Sequence, residues 1–157
     1  MGAEKLSINY DLNYILLAIR SQIEDYQFAY FLNKSPFFLL RRMQEDVSCL
    51  INKKSIYFSS FYDSNEVLKR ESFLIKNHTV YTPEINVTNE LFSASQVNNT
   101  AFLIPELKEF DYFIKLVGIW KKCEVLDLRK LLNSMKIVES EISIDLNKLR
   151  SVNNLIL

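Results

Sequence analysis

The sequence predicts an α+β fold: one domain over residues 1–157, with a mostly antiparallel sheet and its helices on one face, in two layers. Three observations lead there. Hydrophobic residues make up 48% of the 157, enough for a core in a chain of one ordinary domain. Apolar runs of strand length alternate with helically spaced segments near both ends, while the middle holds strand-like runs separated only by polar turns. Glycine is confined to Gly2 and Gly118, which argues against a glycine-rich phosphate loop.

Taken in order, residues 5–10 suit an edge strand. Residues 14–19 are continuously apolar, the pattern of a strand covered on both faces. Ser21-Gln22-Ile23-Glu24 reads as a capping box, in which Ser21 accepts the Glu24 N–H and Glu24 reaches back. A helix is therefore expected from about 22 to 33, closing before Ser35-Pro36. Its apolar set, including Ile23, Tyr26, Phe28, Tyr30, Phe31 and Leu32, is wide: it meets a partner or is buried deeply by its own domain. Segments 37–47, 55–62 and 67–75 read as an antiparallel meander, with turns at Asn52-Lys53-Lys54 and Asp63-Ser64-Asn65. Residues 76–100 read as an irregular excursion with at most one short strand.

Residues 102–117 are the densest stretch: two apolar runs around an acidic proline turn, expected to be two strands of the central sheet. Val125, Leu128, Leu131, Leu132 and Met135 mark a second helix. Residues 139–146 alternate, with Ile142, Ile144 and Leu146 on one side, and Leu155-Ile156-Leu157 suits a last strand. Strand–helix–strand at both ends gives two βαβ units and hence an enlarged ferredoxin-like sandwich.

Charge and cysteine usage narrow the function. Basic and acidic side chains balance at 19 each, which weakens a reading as a dedicated nucleic-acid binder. No apolar run is long enough to span a bilayer and no secretory signal precedes residue 14, so no membrane partner is expected. Cys49 and Cys123 form no paired motif, which fits a reducing cytoplasm. His78 is the only histidine and has no Cys, Asp or Glu at ligand spacing, so neither a metal nor a cofactor is expected. Nucleophile-elbow, zinc-protease and phosphate-loop patterns are absent, which leans away from an enzyme.

Two segments carry a resemblance. Ile104-Pro105-Glu106, three residues, then Phe110-Asp111-Tyr112 resembles the signature of a small bacterial family named for an IPExxxVDY motif, with Phe110 in place of Val. Residues 23–34, with Glu24-Asp25-Tyr26 and an aromatic run ending in Leu32-Asn33, are similar to a second recurrent segment of that family. The family is known mainly from Bacteroidetes and has no assigned activity. The resemblance implies a cytoplasmic bacterial protein and no particular chemistry.

The candidate site residues follow. Glu106 and Asp111 can do acid/base or metal chemistry, but turn-flanking acids also bond local backbone, and that reading is preferred. Glu24 and Asp25 suit a helix start. Arg41, Arg42, Lys53, Lys54, Lys69 and Arg70, interleaved with aromatics on consecutive strands, could form an RNA-binding face. Against that, adjacent strand residues point to opposite faces, and Glu45, Asp46 and Asp63 dilute the patch. The expected function is a non-enzymatic binding module that meets a protein partner or its own copy. The alternatives are an RNA- or ribosome-associated factor, and a small-molecule or enzymatic site near Glu106 and Asp111.

Overall fold

A computed structural model describes residues 13–83 and 98–157; the expected edge strand at 5–10 lies outside them. The fold is α+β, with two helices against a mostly antiparallel sheet. Its strands are β1 (Tyr14–Arg20), β2 (Arg41–Arg42), β3 (Val47–Ile51), β4 (Lys54–Phe58), β5 (Ser60–Asn65), β6 (Arg70–Lys76), β7 (His78–Tyr81), β8 (Asn99–Phe102), β9 (Tyr112–Gly118) and β10 (Ser140–Ser143). The helices are α1 (Asp25–Asn33) and α2 (Lys122–Ser134). Six strands form one sheet in the order β10-β1-β9-β6-β5-β2, every neighbour antiparallel. β3–β4 and β7–β8 form separate two-stranded pairs.

Alternation along the strands sorts side chains to two faces. Leu17, Ile19, Leu74, Tyr112, Ile114 and Leu116 pack with Phe28 and Leu32 of α1 and Leu128 and Leu132 of α2. Leu16, Ala18, Phe73, Ile75 and Phe113 pack on the other side with Val47, Ile56 and Phe58 of the β3–β4 pair and with Leu103, Ile104, Leu146 and Leu155. The two-layer expectation left that second face uncovered. Here it carries its own buried cluster, because the continuously apolar runs of β1, β6 and β9 present core residues to both sides.

Two expected strands divide. Segment 37–47 keeps strand pairing only at β2, and Val47 belongs to β3 in another sheet. Segment 55–62 breaks at Ser59, where the chain passes from β4 to β5. There Ser59 O accepts the Lys76 N–H at 2.9 Å and Ser60 O accepts the Met43 N–H at 3.0 Å. Buried Ser60 donates its hydroxyl to Phe58 O at 2.7 Å, so the kink satisfies its own backbone. The meander is therefore β2-β5-β6, with β3–β4 inserted between its first two strands. Positive φ at Asn52 (51°) and Lys53 (66°) makes the tight β3–β4 turn, and Lys54 begins β4. Asp63-Ser64-Asn65 continues β5 instead of turning, and the chain reverses over residues 66–69.

The remaining differences are local. The capping box does not form: Glu24 is the N-cap of α1 without a side-chain bond. Buried Ser21 instead donates its hydroxyl to Ile137 O at 2.6 Å. The stretch 102–117 supplies only β9 to the central sheet; β8 pairs with β7, and a 3-10 turn over Pro105–Leu107 intervenes. Of the alternating run 139–146 only Ser140–Ser143 pairs as a strand, and the sides do not sort as expected: Ile142 is exposed, Leu146 starts a 3-10 turn, and the charged Glu141 is the buried residue of the strand. Glu141 is buried under α2, accepting from Arg129 Nε at 2.7 Å and Asn133 Nδ2 at 3.0 Å. The tail forms a 3-10 turn over Val152–Leu155, not a strand. Residues 76–100 supply two strands, β7 and β8, among the described positions.

Candidate functional site

Residues 23–34 and 104–112, far apart in sequence, meet around Tyr112. Its ring packs on Phe28 of α1 at 5.0 Å between centroids, and its hydroxyl donates to Ile23 O at 2.5 Å. Burial pushes the Tyr112 phenol well above its ordinary range, and the charges of Asp25, Glu24 and Asp111 push the same way. Tyr112 is thus a neutral donor joining the start of β9 to the start of α1.

Asp111 is held from several sides. Oδ2 accepts the Ser21 N–H at 2.8 Å, and Oδ1 lies 3.4 Å from His78 Nε2, an ion pair when the imidazole is protonated. The Asp111 N–H donates to Ile19 O at 2.9 Å, and its carbonyl accepts the Asn77 N–H at 2.8 Å. Glu106 serves a different part of the chain. Oε2 accepts the Arg150 N–H at 3.0 Å and the Ser151 N–H at 3.1 Å, and Oε1 accepts the Ser151 hydroxyl. Burial opposes its ionisation, but these donors outweigh it and hold the Glu106 carboxyl below its ordinary range. The two acids therefore tie separate segments: Asp111 the β1–α1 junction, and Glu106 the chain near residue 150. Both oxygens of Glu106 and Oδ2 of Asp111 accept hydrogen bonds from the protein's own donors.

The residue that organises the loop between them is Asn77, which is fully buried. Its Nδ2 donates to Leu107 O at 2.9 Å and Phe110 O at 3.0 Å, and Oδ1 accepts the Ile104 N–H at 2.9 Å. Its carbonyl also accepts the Leu103 N–H at 2.7 Å. Pro105 brings no N–H, so Ile104 and Leu103 supply the donors that Asn77 takes up. Nothing in the sequence sets Asn77 apart from other polar residues in a polar stretch. The available signal was indirect: an acidic turn between two buried runs needs partners for its carbonyls.

Asp25 joins the start of α1 to the β4–β5 kink. It accepts the Tyr26 N–H at 2.7 Å and the Ser59 hydroxyl, and Arg42 Nη1 lies 3.5 Å away. Burial raises its pKa, but those two donors and the charges of Lys76 and Arg42 outweigh it, leaving Asp25 below its ordinary range. Glu24 contributes the N-cap backbone, and its carbonyl accepts the Phe28 N–H at 2.9 Å. Tyr26 points outward, 62% exposed.

The basic residues separate into different settings. Arg42 grips Asp46 with both Nε (3.1 Å) and Nη2 (2.5 Å), and Arg70 pairs with Glu124 while stacking 4.0 Å from the Trp120 ring centroid. Lys53 and Lys54 sit at the β3–β4 turn, where Lys54 Nζ donates to Thr82 O at 3.2 Å; Lys69 closes the β5–β6 turn with φ 52°. Arg41 is exposed on β2. Two of the six cations are thus neutralised by their own chain. A further cation, Lys115, sits inside an apolar run: it is buried, with its ammonium on Leu155 O at 2.7 Å and 4.3 Å from the Tyr14 ring centroid. Burial lowers its pKa, against a smaller opposing effect of Glu71.

Among the described residues no group of three or more His, Cys, Asp or Glu could hold a metal, and no helix is long and apolar enough to cross a membrane. No family model, no curated protein and no solved structure matches this chain.

Proposed function

We propose that the chain is a non-enzymatic cytoplasmic interaction module that associates with a second copy of itself through the outer face of α1. The observation that carries this reading is the exposure of Tyr26 (62%), Tyr30 (59%) and Phe31 (38%) on one short helix whose other side, Phe28 and Leu32, is wholly buried. Tyr26 and Tyr30 are one turn apart, and Tyr30 and Phe31 pack edge-on at 5.6 Å. Lys34 lies 4.6 Å from the Tyr30 ring centroid, so the patch already offers aromatic faces to a cation. Rigid aromatics are the residues that anchor protein interfaces. By contrast, both oxygens of Glu106 and Oδ2 of Asp111 are taken up by the chain's own backbone and side chains, and the two acids tie separate segments, which takes support from a catalytic reading.

The same proposal includes two finer points. The resemblance to the IPExxxVDY-motif family is supported by the contact between its two segments at Tyr112. The enlarged ferredoxin-like reading is supported by β9 and β10, which run parallel on either side of β1 with α2 between them in sequence. Light scattering behind size-exclusion chromatography tests the association. A dimer that dissociates on dilution and is lost in Tyr30→Glu is expected; a monomer at every concentration overturns self-association.

A further inference from the structure

A groove of about 750 Å³ opens beside β2, and no residue of α1 or of the loop over residues 104–111 lines it. That volume is in the range of small-molecule sites. Its apolar lining includes Tyr62 and Phe73, whose rings pack at 4.9 Å between centroids, together with Leu39, Met43 and Leu157. Both rings face the sheet side opposite the helices, where Phe73 is largely buried. The groove therefore offers an aromatic surface joined to a hydrophobic cluster.

Its charged lining is not equivalent. Arg42 is committed to Asp46 and Asp25, and Asp63 accepts the Leu39 N–H at 3.2 Å. Arg41 and Glu45 are the two whose charges meet no partner among the described residues. Arg41 follows Leu40, a core residue, and pairs through its backbone with Tyr62, so its place beside the aromatic surface is fixed by the sheet. A guanidinium is suited to bidentate bonding of a carboxylate. Glu45 is the one uncommitted acid, and it disfavours a ligand carrying a second negative charge.

We propose that this groove binds a small amphipathic monocarboxylic acid, its carboxylate on Arg41 and its apolar body over Tyr62 and Phe73. The site is separate from the α1 surface and does not depend on self-association. The test is isothermal titration of the full chain with octanoate, octylamine and 1-octanol, with amide NMR shifts to locate the ligand. Octanoate should bind best and should shift the Tyr62 and Phe73 amides. Arg41→Ala should weaken it by about tenfold or more, the loss of one charge-assisted contact, while Arg41→Lys recovers part of it. Arg41 is exposed, so these variants should melt with the parent, which separates lost binding from lost folding. No octanoate binding, equal binding of the amine or alcohol, shifts elsewhere, or undiminished binding in Arg41→Ala would overturn the assignment.

Discussion

Replacing Asn77 by Ala would test whether the loop over residues 104–111 is held by its interior. The substitution removes three side-chain hydrogen bonds, to Leu107 O, Phe110 O and the Ile104 N–H. Leu107 O keeps a partner, because it also accepts the Phe110 N–H at 3.0 Å. The Ile104 N–H and the Phe110 carbonyl lose theirs, in a loop whose Ile104 is fully buried and Phe110 nearly so. Each orphaned buried group costs about 1–3 kcal/mol, so the expected loss is about 4 kcal/mol. For a chain of this length each kcal/mol lowers Tm by about 3 °C, which puts the variant about 12 °C below the parent. Calorimetry reads the shift, and hydrogen exchange at the Ile104 amide should accelerate with it. Asn77→Asp separates the two halves of the argument: it keeps the acceptor for Ile104 but turns a charge toward two carbonyls, and should be no better tolerated. A Tm within about 3 °C of the parent for Asn77→Ala would refute the reasoning, because the orphaned groups would then have found other partners.

Two further expectations concern backbone strain and pH. Gly118 has φ +91°, and a Cβ there would lie 2.4 Å from Lys69 O and 2.9 Å from Arg70 Cα, both backbone atoms. Gly118→Ala should therefore cost about 2–4 kcal/mol, read as a fall in the urea midpoint; an unchanged midpoint would mean that the β5–β6 turn gives way freely. The carboxyl of Asp25 is held below its ordinary value of 3.8, so its stabilisation is fully present above that pH and is lost as pH falls through the folded value. The parent should exceed Asp25→Asn in urea midpoint at neutral pH, with the gap closing in strong acid; a gap of constant size across that range would show that Asp25 ionisation contributes nothing.

The legible part of the fold was the part decided by apolar runs. β1 and β9 are continuous runs of buried residues, and α2 carries its stripe through Leu128 and Leu132. The long middle strands were less legible. Segment 55–62 has unbroken strand chemistry, and only tertiary bonds at Ser59 and Ser60 divide it between two sheets. Ser21 illustrates the same limit. Its spacing from Glu24 satisfies a capping box, yet contacts with Asp111 and Ile137, 90 and 116 residues away, decide its role. At the candidate site, the acids Glu106, Asp111 and Asp25 were legible as residues, but their partners were not. Lys115 and Glu141 were hidden for a related reason. Each is a charged side chain at a core position, retained because a backbone carbonyl or an arginine meets it there.

The strand order also governs how this chain can be made. Both neighbours of β1 come from the C-terminal third: Leu17 pairs with Ile114 on one side and Ser143 on the other. A nascent chain ending before residue 112 already holds β3–β4 and β5–β6, which close locally, but β1 has nothing to pair with. β6 is equally exposed, because its second neighbour is also β9. Phe73, Leu74 and Ile75 then wait as an open apolar edge until β9 leaves the ribosome. Closure at β9 joins the two halves of the sheet in one long-range step, which makes folding slower than the local hairpins suggest. Truncation within or before β9 would thus remove the strand on which the N-terminal half depends, not merely shorten the molecule.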